Sequence, residues 1–487
     1  MAEAIEATAR SSSPLHVVVF PWLAFGHMIP YLELSEQLAR RGHAVTFVSA
    51  PRNLARLRPV PEDLRPRVRL LPLPLPSVDG LPCGAESTAD VPPEKVDLLK
   101  VAFDGLAAPF AGFLAGACAG GEGATGFGKK PDWVFVDFTH HWLPPIAERH
   151  KVPCALFSIF PAAFIAFLGP KTANDEHPRM TAEDFADQPP WIPFPTHVVH
   201  RLHEAKQFVQ LHLRPNAAGP SDCRRFWETE QHCPLVIVRS CREVDGPLCP
   251  LLTDLFGRPV APSGLLAPYD AAQEAAAGGG EDEDKESVSL MRWLDEQPER
   301  SVIYVAFGSE APLTPEQVRE LAIGLELSGA RFLWALREPS GPLIPDGFEE
   351  RASGSGRGLV RVGWVPQVRI LAHGAVGAFL THTGWSSLME SFLFGHPLVM
   401  LPLFADQCVT ARAMAARAVG LEVPRDERDG SFAGADVAAT VRRVMMAEDE
   451  EGKALARNAR AFQEILCNRA KQDKYVDELV EHLLRLQ

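Results

Sequence analysis

The sequence predicts an α/β protein made of two similar domains, each a doubly wound parallel sheet with helices on both faces. Short, continuous apolar runs such as HVVVF (16–20) alternate with segments that are apolar at helical spacing. This pattern is typical of strands buried on both faces of a parallel sheet. The same alternation starts again near residue 291. The chain of 487 residues is also too long for one ordinary domain.

In the first half, the strand at HVVVF is followed by a helix over IPYLELSEQLARRG, which ends at a glycine. A long helix is expected from Val96 to Ala117. Further strands are expected at HAVTFVSA, VRLLPLPL, DWVFVDF, VPCALFSIF and PLVIVRSC, the last of which would complete the first sheet. Residues 172–230 are irregular, with helix suggested only from about Glu204, and are predicted to form a variable pocket wall.

A Gly-rich and then acidic stretch, AAQEAAAGGGEDEDKES (271–287), is interpreted as a flexible linker or surface loop. Its EDED could act as a metal-binding DxD, but a solvated charge run is the favoured interpretation. The second half offers strands at SVIYVAF, RFLWAL, LVRVG, AVGAFLTH and PLVMLP, and helices at TPEQVRELAIGLELSG and KYVDELVEHLLRLQ. We therefore expect domains at 1–252 and 291–465, a linker at 253–290 and a C-terminal helix at 466–487.

The composition favours a soluble enzyme over a nucleic-acid-binding protein, because the net charge is −14. The nine cysteines are scattered and include no CxxC, so we expect mostly buried free thiols in a reducing compartment and no metal site. The N-terminus lacks the apolar run of a signal peptide, and no apolar segment is expected to approach the about 20 residues of a membrane helix. These observations predict a cytoplasmic protein without membrane insertion.

Two polar groups follow strands of the first domain. Gly26 and His27 come just after the first strand, at the edge where open α/β sheets bind ligands. A histidine there can be a general base near neutral pH, or only a helix cap that faces solvent. Asp137 closes the strand at VFV, where an unpartnered carboxylate would be costly. It could pair with His27 and stabilise the charged imidazole, cap the next turn, or pair with His140 or His141.

The second domain carries weaker local signals. Neither half has GxGxxG after its first strand, which removes the main support for a dinucleotide-dependent dehydrogenase. Gly308 and Ser309 are compatible with a phosphate-binding turn or an ordinary one. Taken alone, Trp364 would be a core residue. Ser387-x-x-Glu390 would be a capping box, in which the glutamate bonds the start of its own helix.

Residues 364–407 carry a far more specific pattern: W-x-P-Q, then H-x-G-W-x-S, a glutamate, G-x-P and a closing Asp-Gln. This pattern closely resembles the nucleotide-sugar signature of the plant UDP-dependent glycosyltransferases of family 1. HVVVFPWLAFGH, VFVDF, MRWLDEQPERSVIYVAFGS and the C-terminal helix agree with that family, so the resemblance covers most of the chain outside 172–230 and the acidic stretch. It implies the GT-B fold, in which two Rossmann-like domains face each other across a cleft and the C-terminal helix packs back on the first domain.

The resemblance also implies an inverting, metal-independent transfer with a UDP-sugar as co-substrate and no further cofactor. His27 would deprotonate the acceptor hydroxyl and Asp137 would orient it. The implied donor-binding residues are Trp364 stacking on uracil, Val365 and Gln367 at base and ribose, Glu390 on the ribose hydroxyls, Ser309, His382 and Ser387 at the diphosphate, Asp406 and Gln407 on the sugar, and also Gly384, Trp385 and Ser386. We expect Phe25, Phe138, His141 and Trp142 to line the acceptor pocket of a monomer.

The sequence departs from the family pattern at Ser386, where the family usually has Asn. An amide hydrogen bond that is lost without replacement costs about 1–3 kcal/mol, so a changed donor, or a UDP-sugar-binding protein with little catalytic power, is the alternative. PWLAFGHMIPYLEL, VSAPRN and GAESTADVP look most like the branch-forming group, which adds a sugar to a sugar of a flavonoid, terpenoid or similar glycoside. Gln407 suits a glucose donor, although that group also contains rhamnose users.

Overall fold

The computed structural model describes residues 13–120, 127–276, 285–308, 313–337, 344–446 and 450–487. Within these ranges the strands form two fully parallel sheets. The first sheet contains β1 (His16–Phe20), β2 (Ala44–Ser49), β3 (Val68–Pro72), β4 (Trp133–Val136), β5 (Cys154–Ser158), β6 (Leu235–Val238) and β7 (Val260–Pro262). The second contains β8 (Val302–Ala306), β9 (Arg331–Leu336), β10 (Gly358–Val362), β11 (Val376–Thr381), β12 (Leu398–Met400) and β13 (Gly420–Glu422).

The strand order places one crevice in each domain. The described strands run β3-β2-β1-β4-β5-β6-β7 in the first sheet and β10-β9-β8-β11-β12-β13 in the second. In each sheet the order reverses once, between β1 and β4 and between β8 and β11. Because crossover helices diverge at such a switch point, ligands of open α/β sheets bind beside the carboxyl ends of these two strands. Residues that follow Phe20, Val136, Ala306 and Thr381 therefore meet at the two crevices.

Helices cover both faces of each sheet. In the first domain they are α1 (Phe25–Arg40), α2 (Pro51–Arg56), α3 (Val96–Asp104), α4 (Ala107–Cys118), α5 (Pro144–Arg149), α6 (Ala162–Leu168), α7 (Lys171–Glu176), α8 (Ala182–Ala186), α9 (Leu202–Phe208), α10 (Asp222–Gln231), α11 (Arg242–Asp245) and α12 (Leu248–Phe256). Further along the chain they are α13 (Tyr269–Ala276), α14 (Lys285–Asp295), α15 (Pro315–Ser328), α16 (Phe348–Gly354), α17 (Gln367–Ala372), α18 (Trp385–Phe392), α19 (Asp406–Ala416), α20 (Gly434–Met445), α21 (Glu450–Cys467) and α22 (Arg469–Arg485).

The expectation that PLVIVRSC completes the first sheet is wrong, because β7 pairs with β6 beyond it. The first sheet therefore extends to Pro262, ten residues past the predicted boundary at 252. Sequence reasoning also missed β13. Both strands have three residues and lie at a sheet edge, so neither produces the longer apolar run of a central strand. Within the predicted linker, α13 precedes EDED (281–284) and α14 follows it. EDED itself lies outside the described residues.

The expected single helix from Val96 to Ala117 is instead two helices, α3 and α4, separated at Gly105 and Leu106. By length and composition the segment Pro93–Cys118 is apolar enough to cross a membrane, contrary to the sequence-based expectation. In the structure, its apolar side chains Leu99, Phe103, Leu106, Phe110 and Leu114 are buried in the core of the first domain.

The last helix, α22, returns to the first domain. Its buried side chains Val476, Leu479 and Leu483 belong to the same apolar cluster as β1. The indole Nε1 of Trp133 on β4 donates to the carbonyl of Leu483 over 3.1 Å. The C-terminal helix therefore packs on the first domain, as the sequence predicts.

Candidate active site

The switch point of the first sheet brings His27 and Asp137 together. His27 lies in the first turn of α1, and Asp137 directly follows β4. The His27 Nδ1 and the Asp137 Oδ2 are 2.7 Å apart, and the same oxygen accepts the Trp22 backbone N–H over 3.0 Å. The other oxygen accepts the N–H of Phe138 over 2.8 Å. Three donors therefore hold the carboxylate in one orientation toward the imidazole.

These contacts keep Asp137 ionised in spite of its burial. Burial raises the pKa of the carboxyl, but the charge and hydrogen bond of His27 and the Trp22 N–H bring it below its usual value. A charged, fixed carboxylate behind an imidazole selects the tautomer with hydrogen on Nδ1 and stabilises the imidazolium form. The pair can therefore accept a proton at Nε2.

His140 is excluded as the partner that the sequence had left open. Its Nδ1 accepts the backbone N–H of Asp137 over 3.0 Å, so it does not bond the carboxylate. Its ring lies edge-on against Phe20 and Phe103, and burial lowers its pKa to about 4. His140 is thus a neutral core residue at physiological pH.

The four residues predicted to line the acceptor pocket have different surroundings. Phe138 lies beside the candidate base, its ring centroid 5.5 Å from that of His27. The Arg56 guanidinium carbon lies over the ring of Phe25, 4.5 Å from the ring centroid. The partly buried ring of Trp142 packs against Phe20, Phe103, Phe110 and His140 at the edge of the aromatic core. His141 contacts the Thr139 carbonyl and the buried side chain of Arg225.

Sequence reasoning missed Phe160, whose ring centroid lies 5.7 Å from that of His27 and whose ring is edge-on to it. It comes two residues after β5, the strand next to β4 in the sheet. The available signal was an aromatic residue just past the end of a buried strand, at the same edge as His27.

His382 follows β11 at the switch point of the second sheet and is held between two glycines. A Cβ on Gly308 would lie 2.9 Å from the His382 ring, and one on Gly384 would lie 2.5 Å from its Nε2. Burial lowers the pKa of His382 to about 4, and its Nδ1 has no hydrogen-bond partner among the described residues. A buried ring nitrogen without a partner is costly, so it points to a ligand that would bond it. Ser309, the next predicted phosphate contact, lies outside the described residues.

The helix after His382 presents an uncapped N-terminus to the same crevice. Gly384 is the N-cap of α18 and has no side chain to satisfy the first-turn N–H groups. Such N–H groups and the helix dipole favour an anion. The capping-box interpretation is wrong, since Ser387 lies inside the helix and Glu390 bonds a different element.

Glu390 and Gln367 form one network. The Gln367 Nε2 donates to the Glu390 carboxylate over 2.6 Å, and the Gln367 Oε1 accepts from the Tyr304 hydroxyl over 3.1 Å. Burial raises the pKa of Glu390. Trp364, three residues before Gln367, is 81% exposed, so it is not a core residue. An aromatic face left in solvent next to a polar pair is suited to stacking on a base.

Asp406 and Gln407 begin α19 and are tied to the same turn. The Gln407 Oε1 accepts the N–H groups of Leu403 and Phe404 at 3.1 and 3.3 Å. Its backbone carbonyl accepts the Thr383 hydroxyl over 2.8 Å. The side chain of Gln407 therefore shapes the loop that carries Asp406.

Ser386 has a partner that the sequence did not indicate. Its Oγ accepts from the Arg239 guanidinium over 2.8 Å, and the Trp385 indole donates to the Arg239 carbonyl over 3.0 Å. Arg239 directly follows β6 of the first domain, so this contact joins the two domains. A charged residue just past a buried strand was the available signal, and it is the same signal that identified Asp137.

Known proteins share both the sequence and this architecture. A family model described as "UDP-glucoronosyl and UDP-glucosyl transferase" matches residues 274–454. UDP-glycosyltransferase 91B1 of Arabidopsis thaliana is 42% identical over 487 residues, covering 98% of each chain. The cyanidin 3-O-galactoside 2''-O-xylosyltransferase FGGT1 of Actinidia chinensis var. chinensis is 34% identical, covering 96% of this chain and 98% of that one. The structure of UGT73P12 from Glycyrrhiza uralensis, complexed with glycyrrhetinic acid 3-O-monoglucuronide, aligns with a TM-score of 0.78 at 22% identity, over 97% of this chain and 96% of that one.

The structural likeness shows a GT-B fold, and the sequence likeness extends over nearly the full chain. The first crevice holds the paired His27, and the second holds His382 at the N-terminus of α18. The protein therefore belongs to the plant UDP-dependent glycosyltransferases of family 1, enzymes that transfer a sugar from a UDP-sugar to an acceptor.

Proposed function

We propose that the protein transfers a sugar, with glucose favoured, from its UDP-sugar to a hydroxyl of a small plant glycoside or aglycone of flavonoid or terpenoid type, with inversion at the anomeric carbon. The observation that carries this proposal is the 2.7 Å contact between His27 Nδ1 and Asp137 Oδ2 at the crevice of the first sheet. It leaves Nε2 as the basic nitrogen, beside Phe138 and Phe160.

In this mechanism the acceptor oxygen gives its proton to His27 and forms a bond to the sugar C1. The bond between C1 and the β-phosphate oxygen breaks on the opposite face, and UDP leaves. Asp137 stabilises the imidazolium ion as it forms. The charge that develops on UDP meets the N–H groups of α18 and His382, which supports a transfer that needs no metal ion.

The donor is proposed to lie along the second crevice. Trp364 stacks on the uracil, and the Glu390 carboxylate, aligned by Gln367, accepts the two ribose hydroxyls. His382 and α18 hold the diphosphate, and Asp406 contacts the sugar.

A glycoside is the favoured acceptor. One relative is named for adding xylose to a sugar of cyanidin 3-O-galactoside, and others are named as rhamnosyltransferases of a soyasaponin and of an anthocyanidin glucoside. These names support sugar-on-sugar transfer, and they keep rhamnose as the alternative donor.

The test is a matrix of UDP-glucose, UDP-rhamnose and UDP-xylose against flavonoid and terpenoid glycosides and their aglycones, with and without a chelator. We expect UDP release with a glycoside, transfer that survives chelation, and an inverted anomeric centre by NMR. Retention of configuration would contradict the mechanism. If none of the UDP-sugars in the matrix releases UDP, the proposal that these residues catalyse sugar transfer is contradicted.

A further inference from the structure

Arg239 is a buried cation whose hydrogen-bond partners, within the part of the chain that the structure describes, are all neutral. Only 2% of the residue is exposed. Its Nε donates to the Leu265 carbonyl over 2.8 Å and its Nη2 to the Leu266 carbonyl over 3.0 Å. Its Nη1 donates to the Ser386 Oγ over 2.8 Å. Leu266 has a φ of +47°, an uncommon conformation for leucine, in the turn whose two carbonyls both face the guanidinium.

The charge of Arg239 is not neutralised locally. Among the described residues no carboxylate forms an ion pair with it, and Glu33 and Glu390 act on it only through space. Glu33 is itself paired with Arg58. Burial lowers the pKa of Arg239 to about 10, so the side chain remains charged at neutral pH. Burial of a charge without a counter-charge is unfavourable, and a nearby anion would offset that cost.

A second contact between the domains provides the contrast. Glu204 on α9 is as buried as Arg239, but its carboxylate is bonded by two guanidinium groups, those of Arg412 and Arg425. His200 and Cys408 lie near enough to Glu204 to suggest a metal cluster, yet the two arginines already neutralise the carboxylate. Glu204 is therefore paired across the domains, whereas no carboxylate of the described residues pairs with Arg239.

The position of Arg239 indicates which anion would interact with it. Ser386 is the second residue of α18, and the Trp385 indole bonds the Arg239 carbonyl, so the guanidinium is fixed at the first turn of that helix. Since the Ser386 oxygen accepts from Arg239, its own hydroxyl proton is free to be donated elsewhere. The guanidinium charge and the available Ser386 hydroxyl proton both make the helix N-terminus more attractive to a negative group.

We propose that Arg239 is a positioning residue for the donor diphosphate: from the first domain it orients the Ser386 hydroxyl and adds positive charge at the N-terminus of α18. The inference rests on the proposed function, which places the diphosphate at this helix. It also gives Ser386 a role that replaces the expected amide, because a short side chain lets the guanidinium reach the helix. Donor binding then requires contact between the two domains.

The test compares the dissociation constants of UDP and uridine, by calorimetry, for the wild type, Arg239→Met, Arg239→Lys and Ser386→Ala. UDP and uridine differ only in the diphosphate. We expect Arg239→Met to weaken UDP binding at least tenfold and uridine binding less than twofold, and Arg239→Lys to recover most of the loss. Ser386→Ala is expected to weaken UDP binding severalfold, and to add less than twofold in the Arg239→Met background.

Glu204→Gln is the matched control, since it breaks a buried contact between the same two domains. It should lower the melting temperature and leave the UDP-to-uridine ratio unchanged. The inference would be overturned if Arg239→Met and Arg239→Lys each weakened UDP and uridine binding equally. It would also be overturned if Arg239→Met left the ratio of the two dissociation constants unchanged. Either outcome would leave the donor site intact. A wild type that binds UDP no more tightly than uridine would overturn the donor site itself, and the inference with it. If Arg239→Met does not fold, Ser386→Ala decides: an unchanged UDP-to-uridine ratio in that variant overturns the inference.

Discussion

His27 and His382 lie at the switch points of the two sheets and are almost equally buried, at 9% and 8% exposure. His27 faces an ionised carboxylate at 2.7 Å. His382 has no carboxylate partner among the described residues and packs between Gly308 and Gly384. Because burial is the same, the carboxylate decides the chemistry. One imidazole is arranged to take up a proton, and the other is held neutral beside a helix N-terminus, where it can meet a negative ligand.

The sharpest test of this contrast is His27→Ala. A positioned general base contributes about 10²–10⁴-fold, so we expect kcat to fall by that amount while the dissociation constant of UDP changes less than twofold. Product formation under saturating donor and calorimetry of UDP binding provide the two measurements. A parallel loss of transfer and UDP binding would show that His27 is not the base.

The next largest effect is expected from Asp137→Asn. The amide keeps the shape of the carboxylate but cannot stabilise an imidazolium ion, and its NH₂ group favours the wrong tautomer. We expect kcat/KM to fall about 10²-fold or more, with the acidic limb of its pH profile moved to lower pH. If the acidic limb stays at the same pH as in the wild type, Asp137 only maintains the fold.

His382→Ala should have the opposite signature to His27→Ala. Hydrogen bonds to charged groups contribute about 1.5–3 kcal/mol, so the donor KM should rise about 10- to 100-fold while the acceptor KM is unchanged. Initial-rate kinetics with each substrate varied separately make this comparison. A rise in the acceptor KM alone would place His382 on the wrong side of the cleft.

The smallest effect concerns acid stability. With a pKa of about 4 in the folded state, His382 stays neutral, whereas in the unfolded chain a histidine is protonated below about 6.5. The unfolded state therefore binds more protons between these values, and stability falls as pH is lowered from about 6.5 to 4. His382→Asn should reduce the loss between pH 7 and 5 by about 2 kcal/mol, measured by urea denaturation. If the free energy of unfolding falls equally steeply with pH in the two proteins, the burial of a neutral His382 ring is contradicted.

The candidate site divides into contacts that the sequence could predict and contacts that it could not. The pairing of His27 with Asp137 was foreseeable as one alternative, because the carboxyl ends of β1 and β4 meet once the sheet is parallel. The choice of His27 over His140 depended on the orientation of the His140 ring among Phe20 and Phe103, which no local pattern records.

The same limit applies to Trp142, whose partly buried ring packs against the aromatic core, and to Glu390, which bonds Gln367 and not its own helix. Each is a choice between two plausible partners, and packing between distant elements makes that choice.

The sequence alone determined the two parallel sheets, the family signature from Trp364 to Gln407 and the residue types at the two crevices, because apolar runs and motif spacing are local properties of the chain. Only the tertiary structure decided that Arg239 reaches Ser386, 147 positions away, and that β7 completes the first sheet. Contacts of this kind depend on how two domains pack, and the free energy of that packing is distributed over many side chains that leave no periodic trace in the sequence.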